Sequence, residues 1–230
     1  MQIEVLDFVA GARESRGVTV VIDVFRAFTV ACYATAGGAA KIIPFADAQR
    51  VRQLKRENPE YLAVGERFGR MLEGFDFGNS PTDITHGDVR GKTLLHTTHA
   101  GTQGLTNATH ADVVLTGSLV NAGAICAYIK SLAPERVSIV RMGKEALERS
   151  AEDDLCAELL VARLSGKPYD ISTVRERLRV APAAQKFFDP DAAWAPEGDF
   201  DLCTDVDRFG FVLRLVDRDK SLPYLQAINV

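Results

Sequence analysis

The chain has 230 residues, of which 47% are hydrophobic and 25% are charged, and its formal net charge is −4. This composition is typical of a globular protein with a sizeable core. The small negative charge argues against nucleic acid or an anionic membrane as the main partner. No apolar run approaches the roughly 20 residues of a membrane-spanning helix. We therefore expect neither a nucleic-acid partner nor a membrane partner.

The N-terminus and the cysteines both favour a cytoplasmic location. Residues 1–17 alternate as a strand does, and they lack the basic, apolar and small-residue segments of a signal peptide. The cysteines are far apart in apolar patterns, which is typical of reduced core residues. They are Cys32, Cys126, Cys156 and Cys203.

Strands and helices alternate along roughly the first two thirds of the chain. Val18–Ile22 is a continuous β-branched run, as expected for a strand buried on both faces. The predicted strands are Val18–Ile22, Lys41–Phe45, Tyr61–Val64, Lys92–His96, Asp112–Leu115 and Arg136–Arg141, and the predicted helices are Ala27–Ala36, Ala48–Glu57, 119–132 and 152–164. The alternation predicts an α/β fold, a three-layer α/β/α arrangement with a mostly parallel or mixed sheet.

The pattern weakens after about residue 167. Residues 171–179, 183–189 and 199–209 favour helix, 211–216 favours a strand, and 189–199 is typical of a loop. No linker is long enough to separate a second domain. We predict one domain over residues 1–230, with a C-terminal subregion from about residue 168 that carries no recognisable motif.

Polar or glycine residues follow most of the predicted strands. They include Asp23, Gly65-Glu66, Thr97-Thr98, Gly117-Ser118 and Gly143. In open α/β sheets, ligands bind at the carboxyl ends of the strands, where helix N-termini also point. We therefore expect these residues to converge on one edge of the sheet and to bind an anion.

The segment 74–84, GFDFGNSPTDI, has two interpretations. Ser80 begins a capping box, so the end of the segment starts a helix. The helix cap does not explain the residues before it. If Gly78 takes a positive φ, Asn79, Ser80 and nearby N–H groups would face one point. A plain turn and an oxyanion-binding loop, with Asp76 free to bind metal, are equally open.

Arg26 and two acids also have competing interpretations. Arg26 lies in the first turn of a predicted helix, where a cation is disfavoured, so we expect it to bind an anion or to pair with Asp23. Glu152 and Asp153 follow Ser150 in a capping box and suit a helix N-terminus. From the residues alone, these two acids are helix-capping groups.

The four histidines do not have the spacing of a zinc site. They are His86, His96, His99 and His110. We interpret them as scattered polar residues, with His99 as the exception because it follows a predicted strand in a polar loop.

Several segments together resemble the 2-phosphosulfolactate phosphatase family, the magnesium-dependent phosphatases of coenzyme M biosynthesis. In family order they are VVIDVFRAFT (20–29), GER (65–67), GFDFGNSP (74–81), TTHAGT (97–102), GSLVNAGA (117–124) and EDDLCAE (152–158). GER followed by GFDFGNSP is the most specific part. The chain departs from the family's pattern at Phe28, within 97–102 and at Glu158.

The resemblance implies an α/β/α fold, a Mg²⁺ cofactor and hydrolysis of the phosphate ester of a small carboxylated or sulfonated acid. Mg²⁺ prefers oxygen ligands and often binds only one or two carboxylates. The candidate metal ligands are Asp23, Glu66 and Asp76. The candidate catalytic residues are Asp23, Arg26, Glu152 and Asp153. The candidate phosphate-binding residues are Arg26, Asn79, Ser80, Thr97, Thr98, Gly101, Thr102, Ser118 and Asn121.

The nucleophile stays open between a water on the metal and an aspartate that forms a phospho-enzyme. The segment 23–25 lacks the second acid of the Asp-x-Asp in haloacid-dehalogenase phosphatases. Cys156 is disfavoured because a cysteine on an apolar helix face is usually core. The alternatives are a phosphatase for another small phospho-acid and a non-catalytic anion-binding protein on the same fold. A homodimer is compatible with each.

Overall fold

The computed structural model describes residues 1–230. The strands are β1 (Gln2–Asp7), β2 (Val18–Ile22), β3 (Lys41–Pro44), β4 (Leu62–Arg67), β5 (Arg70–Met71), β6 (Thr93–Thr97), β7 (Val113–Gly117), β8 (Arg136–Arg141), β9 (Phe211–Val216) and β10 (Tyr224–Asn229). The α-helices are α1 (Phe8–Glu14), α2 (Ala27–Ala36), α3 (Ala48–Glu57), α4 (Pro81–His86), α5 (Gly101–Asn107), α6 (Ala122–Leu132), α7 (Ala151–Leu164), α8 (Val174–Arg179) and α9 (Glu197–Cys203). Three 3-10 turns span Leu119–Asn121, Ile171–Thr173 and Pro182–Phe187.

The strands form one mixed sheet in the order β1-β8-β2-β7-β9-β10-β3-β6-β4-β5. β1, β8, β2 and β7 are parallel to one another, and so are β3, β6 and β4. The antiparallel hairpin β9–β10, from the end of the chain, lies between these two groups. The predicted α/β fold with a mixed sheet flanked by helices is confirmed.

The two parallel groups run in opposite directions along the sheet, because three antiparallel pairings separate β7 from β3. In a flat sheet their carboxyl ends would lie at opposite edges. They nevertheless meet, since the N–H of Gly101, after β6, donates to Oδ2 of Asp23, after β2, at 2.8 Å. The expectation that strand direction alone gathers the polar strand ends is wrong, and the contact is made by the residues that follow β2 and β6.

Two helices lie between the parallel groups and fix their geometry. α5 contacts β2 and β7 of one group and β3 of the other. α2 is buried along almost its whole length, which explains why its sequence is apolar on all sides. Fully burying a side chain such as Phe28 contributes about 1.5–3 kcal/mol. Because α2 follows β2 and α5 follows β6, their packing fixes the loops that precede them.

The predicted elements differ from the observed ones mainly at their ends. β4 continues through Gly65 to Arg67, because Gly65 pairs with Thr97 and Glu66 with Met71. Helices α1 and α5 and strands β5 and β10 were not predicted, and the helix expected over 199–209 is the shorter α9. None of the helices is both long and apolar enough to cross a membrane.

Candidate active site

A cavity of about 520 Å³ opens where the loops after β2, β4, β6 and β8 meet the first turn of α7. Four buried acids line it, namely Asp23, Glu66, Glu152 and Asp153. Four basic residues line it as well, namely Arg26, Lys144, Arg149 and Lys186. Acids and cations therefore share one enclosed space.

Asp23 joins the two halves of the site through backbone N–H groups. Its Oδ1 accepts from the N–H of Ala27 at 3.1 Å, at the start of α2. Its Oδ2 accepts from the N–H of Gly101 at 2.8 Å, at the start of α5. Each oxygen keeps a further lone pair, so the carboxylate can still accept from a ligand or bind a cation.

Glu66 connects the β4–β5 turn to the loop after β6. Its Oε2 accepts from the N–H of Gly69 and its Oε1 from the N–H of His99, both at 2.7 Å. These short bonds from neutral donors to a carboxylate hold both loops in place. Glu66 is thereby oriented by the protein before any ligand binds.

Asp153 and Glu152 occupy the first turn of α7, but the predicted capping box with Ser150 is not formed, because the Ser150 hydroxyl makes no cap hydrogen bond. Asp153 also bridges two loops, accepting from the N–H of Val24 at 2.9 Å and from the N–H of Gly143 at 2.8 Å. Glu152 lines the same cavity, but its buried Oε2 has no hydrogen-bond partner. The two acids are therefore part of the cavity wall as well as helix-terminal groups.

Burial is the main cause of raised pKa values for Asp23, Glu152 and Asp153. Burial, followed by the charges of Glu66 and Glu152, raises the pKa of Asp23 to about 7, although two N–H groups oppose the shift. Burial is also the main cause of the raised pKa of Glu152. The pKa of Asp153 lies well above its usual range because of burial and the charges of Glu152 and Asp23. The cavity therefore favours a proton or another cation among its acids.

Several buried polar atoms in the cavity lining have no hydrogen-bond partner. They are Asn79 Oδ1, His99 Nδ1, Ser150 Oγ and Glu152 Oε2. Buried polar groups in native proteins are nearly always satisfied, and each exception indicates an unseen partner. A bound ligand or ordered water would satisfy these four atoms.

Arg26 lines the cavity but pairs with an acid that the sequence did not single out. Its Nη1 donates to Asp199 Oδ2 at 2.6 Å and to the carbonyl of Trp194 at 2.9 Å, and its Nη2 donates to the carbonyl of Gly69 at 3.1 Å. The guanidinium also lies 5.6 Å from the centroid of the Trp194 ring. Three of its five N–H groups are thus held by the protein, and the expected pairing with Asp23 is replaced by one with Asp199.

Of the residues predicted to bind phosphate, Arg26 and Asn79 are the two that line the cavity. Ser80 caps α4 as predicted, and its hydroxyl donates to Asp199 at 2.7 Å. The N–H of Gly101 is already bonded to Asp23. The Ser80 hydroxyl and the Gly101 N–H therefore position acids of the site and do not line the cavity themselves.

The remaining predicted phosphate ligands form hydrogen bonds within the protein. Thr98 and Thr102 bond to each other, Thr97 accepts from Arg67, Ser118 pairs with Thr29, and Asn121 donates to the carbonyl of Phe211. All five are buried and lie outside the cavity lining. The expectation that their donors converge on the ligand is corrected, because the loops and helices at the strand ends already use those donors.

Asp76 does not join Asp23 and Glu66. Its Oδ2 accepts from the N–H of Ala63 at 2.7 Å and lies 2.9 Å from Lys55 Nζ. It is not among the residues that line the cavity. The expectation that Asp76 is free to bind metal with the other two acids is corrected, because it already pairs with a cation elsewhere.

The glycine that shapes the cavity is Gly69 rather than Gly78. Gly78 has no positive φ, so that prediction is wrong. Gly69 has φ +79, and a Cβ built there would lie 2.4 Å from Cζ3 of Trp194. Only glycine therefore allows the β4–β5 turn to approach the tryptophan ring. Gly74, in the predicted loop, takes φ +78 with nothing within 4 Å of its Cβ position.

Three residues of the site that the sequence did not predict lie in the C-terminal subregion. Lys186 and Trp194 line the cavity, and Asp199 is a fully buried partner of Arg26. No spacing pattern identifies a lone lysine in a 3-10 turn or an aspartate in a short helix. The one signal available was Trp194, the only tryptophan in the chain, in a segment interpreted as a plain loop.

Cys156 and the histidines form no second reactive centre. Cys156 is fully buried in the core, where burial and then the charge of Asp153 raise the pKa of its thiol well above the usual range. A cysteine nucleophile needs the opposite shift. His99 alone among the histidines lines the cavity. The other three, His86, His96 and His110, are not among the residues that line the cavity.

The donor groups of the cavity suit a Mg²⁺ ion that keeps several of its waters. No preformed cluster of three ligating side chains exists, which disfavours an ion enclosed by protein ligands. Mg²⁺, however, usually keeps several waters and binds through one or two carboxylates. Asp23 and Glu66 supply two oriented carboxylates, and the unpartnered acceptors at Asn79 and Glu152 suit the hydrogens of its waters.

The fold and cavity define an α/β protein in which a cavity at the strand ends contains clustered acids beside cations. The model of a family described as 2-phosphosulpholactate phosphatase matches residues 8–217. The chain belongs to this family, and the resemblance seen in its segments is confirmed.

Proteins of three organisms, each named "Probable 2-phosphosulfolactate phosphatase", are similar to the chain. The one from Synechococcus sp. (strain WH7803) is 35% identical over 96% of this chain and 94% of its own length. The one from Bacillus subtilis is 30% identical over 93% and 92%. The one from Gloeobacter violaceus is 40% identical over 66% and 64%. The first two similarities extend through the C-terminal subregion.

Proposed function

We propose that this protein is a magnesium-dependent phosphatase that converts a 2-phosphosulfolactate-like phosphate monoester to the hydroxy acid and phosphate. The observation that carries the proposal is one cavity containing four buried acids beside Arg26 and Lys186. An anion alone would be repelled by the acids, so their presence is explained when a cation binds together with the anion. Family membership supports the same substrate class. A role in coenzyme M biosynthesis is proposed on that ground alone.

Asp23 and Glu66 are the residues that would hold Mg²⁺. Both lie at strand ends, and every one of their carboxylate oxygens is oriented by a backbone N–H. When bound, Mg²⁺ supplies positive charge that neutralises the transferring phosphoryl group. Phosphate monoester hydrolysis is among the slowest uncatalysed reactions, so positioning and charge neutralisation must provide most of the acceleration.

Glu152 is the residue we assign to proton transfer. It is the only one of the four acids with a buried oxygen that lacks a partner, so Oε2 can take a proton from the attacking water. Burial raises its pKa, which brings it closer to the value that suits a general base near neutral pH. As the water oxygen bonds to phosphorus, the bond to the ester oxygen breaks, the departing oxygen gains a proton from solvent, and Glu152 returns its proton to solvent. Asp153 then serves to hold the loops at Val24 and Gly143 in place.

Phosphate release from 2-phosphosulfolactate by the purified protein tests the proposal. We expect turnover that excess chelator abolishes and added Mg²⁺ restores. Glu152→Gln should lower kcat by about 10²–10⁴-fold while leaving the protein folded. Undiminished turnover in excess chelator would refute the metal requirement.

A panel of other phospho-acids separates the proposed substrate from the alternatives. Faster hydrolysis of another member would identify a phosphatase for that acid. Binding of the panel without any phosphate release, with Mg²⁺ present, would identify a non-catalytic anion-binding protein instead.

The same proposal includes a cytoplasmic location and a homodimer. All four cysteines are buried and unpaired, as is usual in a reducing compartment. Phe68 and Met71 are exposed beside the edge strand β5, where a second copy could cover them. Sedimentation at several protein concentrations would show a species of twice the chain mass.

A further inference from the structure

We propose that Lys186 binds the acidic group of the substrate that is not phosphorylated, a carboxylate or a sulfonate. Lys186 would thereby select phosphate esters that carry a second acidic group over phosphate esters that lack one. The inference rests on the proposed function, because it assumes that a phosphorylated acid occupies the cavity.

Lys186 is held inside the cavity by aromatic rings. It is half-buried in the 3-10 turn Pro182–Phe187. Its Nζ lies 5.0 Å from the ring centroid of Phe187 and 5.9 Å from that of Phe25. Such contacts let the aliphatic stem pack against apolar surface while the ammonium group is held over the rings. The position of the charge is therefore set before a ligand binds.

Lys186 differs from the other cations of the cavity because it has no partner. No carboxylate oxygen lies within 4.0 Å of it, whereas Arg26 pairs with Asp199 and Arg149 with Asp154. Lys144 also lacks an ion pair, but it is exposed at the rim. A partly buried charge without a counter-ion is unfavourable, so an anionic ligand at Lys186 would offset its cost.

The surroundings of Lys186 agree with an anion-binding role. Burial and then the charge of Arg26 lower the pKa of Lys186, and Glu152 and Asp23 oppose the shift. The Arg26 guanidinium lies 5.9 Å from the same Phe187 ring that Lys186 contacts. Two cations thus flank one ring and form the positive side of the cavity.

The phosphoryl group and the second acidic group of the substrate require different binding partners in this cavity. The phosphoryl group must reach the acids that would hold Mg²⁺, Asp23 and Glu66. An acidic group elsewhere on the substrate gains nothing from those carboxylates and needs a cation away from them. Lys186, carried by the C-terminal subregion, provides a cation with no protein partner.

Calorimetric titration of the Mg²⁺-loaded protein tests this assignment without requiring turnover. The probes are lactate, which has only a carboxylate, 2-hydroxyethanesulfonate, which has only a sulfonate, sulfolactate, which has both, and inorganic phosphate. Lys186→Met keeps an apolar stem against Phe187 and removes the charge. For Lys186→Met we expect the Kd of sulfolactate to rise about ten- to a hundredfold, as loss of a charge-assisted hydrogen bond predicts. We expect the same rise for one of the two probes that carry a single acidic group, lactate or 2-hydroxyethanesulfonate. The affected single-acid probe identifies the group that Lys186 binds.

Two further variants make the result specific. Lys144→Met removes the same charge from the rim and should change the Kd of sulfolactate by less than about threefold, because exposed charges contribute little. Lys186→Arg, which keeps the charge, should recover part of the affinity.

Inorganic phosphate as a probe shows whether Lys186 binds the second acidic group of the substrate or the phosphoryl group. If Lys186→Met weakens phosphate as much as sulfolactate, the lysine binds the phosphoryl group and the inference is wrong. Unchanged binding of every probe would overturn it as well. Failure of the proposed function looks different, because wild-type protein would then release no phosphate from any ester although sulfolactate still bound through Lys186.

Discussion

Arg26 and Asp199 form an ion pair that is almost completely buried. Nη1 and Oδ2 lie 2.6 Å apart, and the two side chains are 2% and 0% exposed. Asp199 also accepts from the hydroxyl of Ser80 at 2.7 Å and from the N–H of Thr82 at 3.0 Å. Because Asp199 lies in α9 and Ser80 caps α4, this one carboxylate joins the C-terminal subregion to the cation that lines the cavity.

Asp199→Asn should destabilise the protein strongly. Removing one partner of a buried pair leaves the other charge uncompensated and typically costs about 3–5 kcal/mol. Asp201→Asn, in the same helix, is the matched control because Asp201 pairs with Arg175 at the surface, where both side chains are about half exposed. That change should cost less than about 1 kcal/mol. Urea unfolding of both variants measures the difference, and equal small losses would mean that Asp199 does not anchor Arg26.

Gly69→Ala and Gly74→Ala should separate backbone strain from disruption of the site. Both glycines have a positive φ near 80°, so each alanine should cost about 1–2 kcal/mol of strain. Only the alanine at Gly69 would also clash with Trp194, and Gly69 bonds to both Arg26 and Glu66. Melting temperatures should therefore fall for both variants, while kcat/KM falls at least about tenfold further for Gly69→Ala. Similar activity in the two would show that the turn does not shape the site.

The stability of the protein in chelator should depend on Asp23 and pH together. In the folded chain the pKa of Asp23 is raised to about 7, mainly by burial, compared with about 3.9 when unfolded. Between these values the folded state binds more protons, so the contribution of Asp23 to stability falls as pH rises through this window. Relative to wild type, Asp23→Asn should therefore gain stability as pH rises from about 4 to about 7. A constant difference in unfolding free energy across that range would contradict the shift.

Glu66→Gln and Asp76→Asn should affect Mg²⁺ dependence differently. Glu66 is a cavity acid, whereas Asp76 lies outside the cavity and pairs with Lys55. Losing a metal-binding carboxylate should raise the Mg²⁺ concentration for half-maximal activity by at least about tenfold. Asp76→Asn should leave that concentration unchanged within about twofold. A comparable increase in this Mg²⁺ concentration for Asp76→Asn would support the metal-binding role that the sequence predicted for Asp76.

Local patterns were sufficient to predict much of the fold. The β-branched run at Val18–Ile22 and the buried helix Ala27–Ala36 are observed with the predicted bounds. Ser80 caps α4 as its capping box indicated. Strand β10 was missed because its place in the centre of the sheet depends on pairing with β9 and β3 rather than on its own sequence.

The candidate site was predictable only in part, for a related reason. Asp23, Glu66, Glu152 and Asp153 lie at strand or helix ends, which sequence patterns can locate, and all four line the cavity. The threonines of the loop 97–102 look equally polar in sequence, but their hydroxyls are used within the loop and by Arg67. Residue type thus identified polar groups without showing which ones were already occupied.

The sequence by itself determined most of the element types, the start of most helices and the acids that end the strands, because these depend on neighbours within a few residues. Only the tertiary structure decided which of those groups meet. A hydrogen bond joins Asp23 to the start of α5, after β6, and α9 brings Asp199 to Arg26 across a separation of 173 residues. Such contacts depend on packing between distant segments, and no local spacing encodes them. For that reason Asp76, which was expected in the site, pairs with a lysine outside the cavity, whereas Asp199, which was not singled out, pairs with the cavity's arginine.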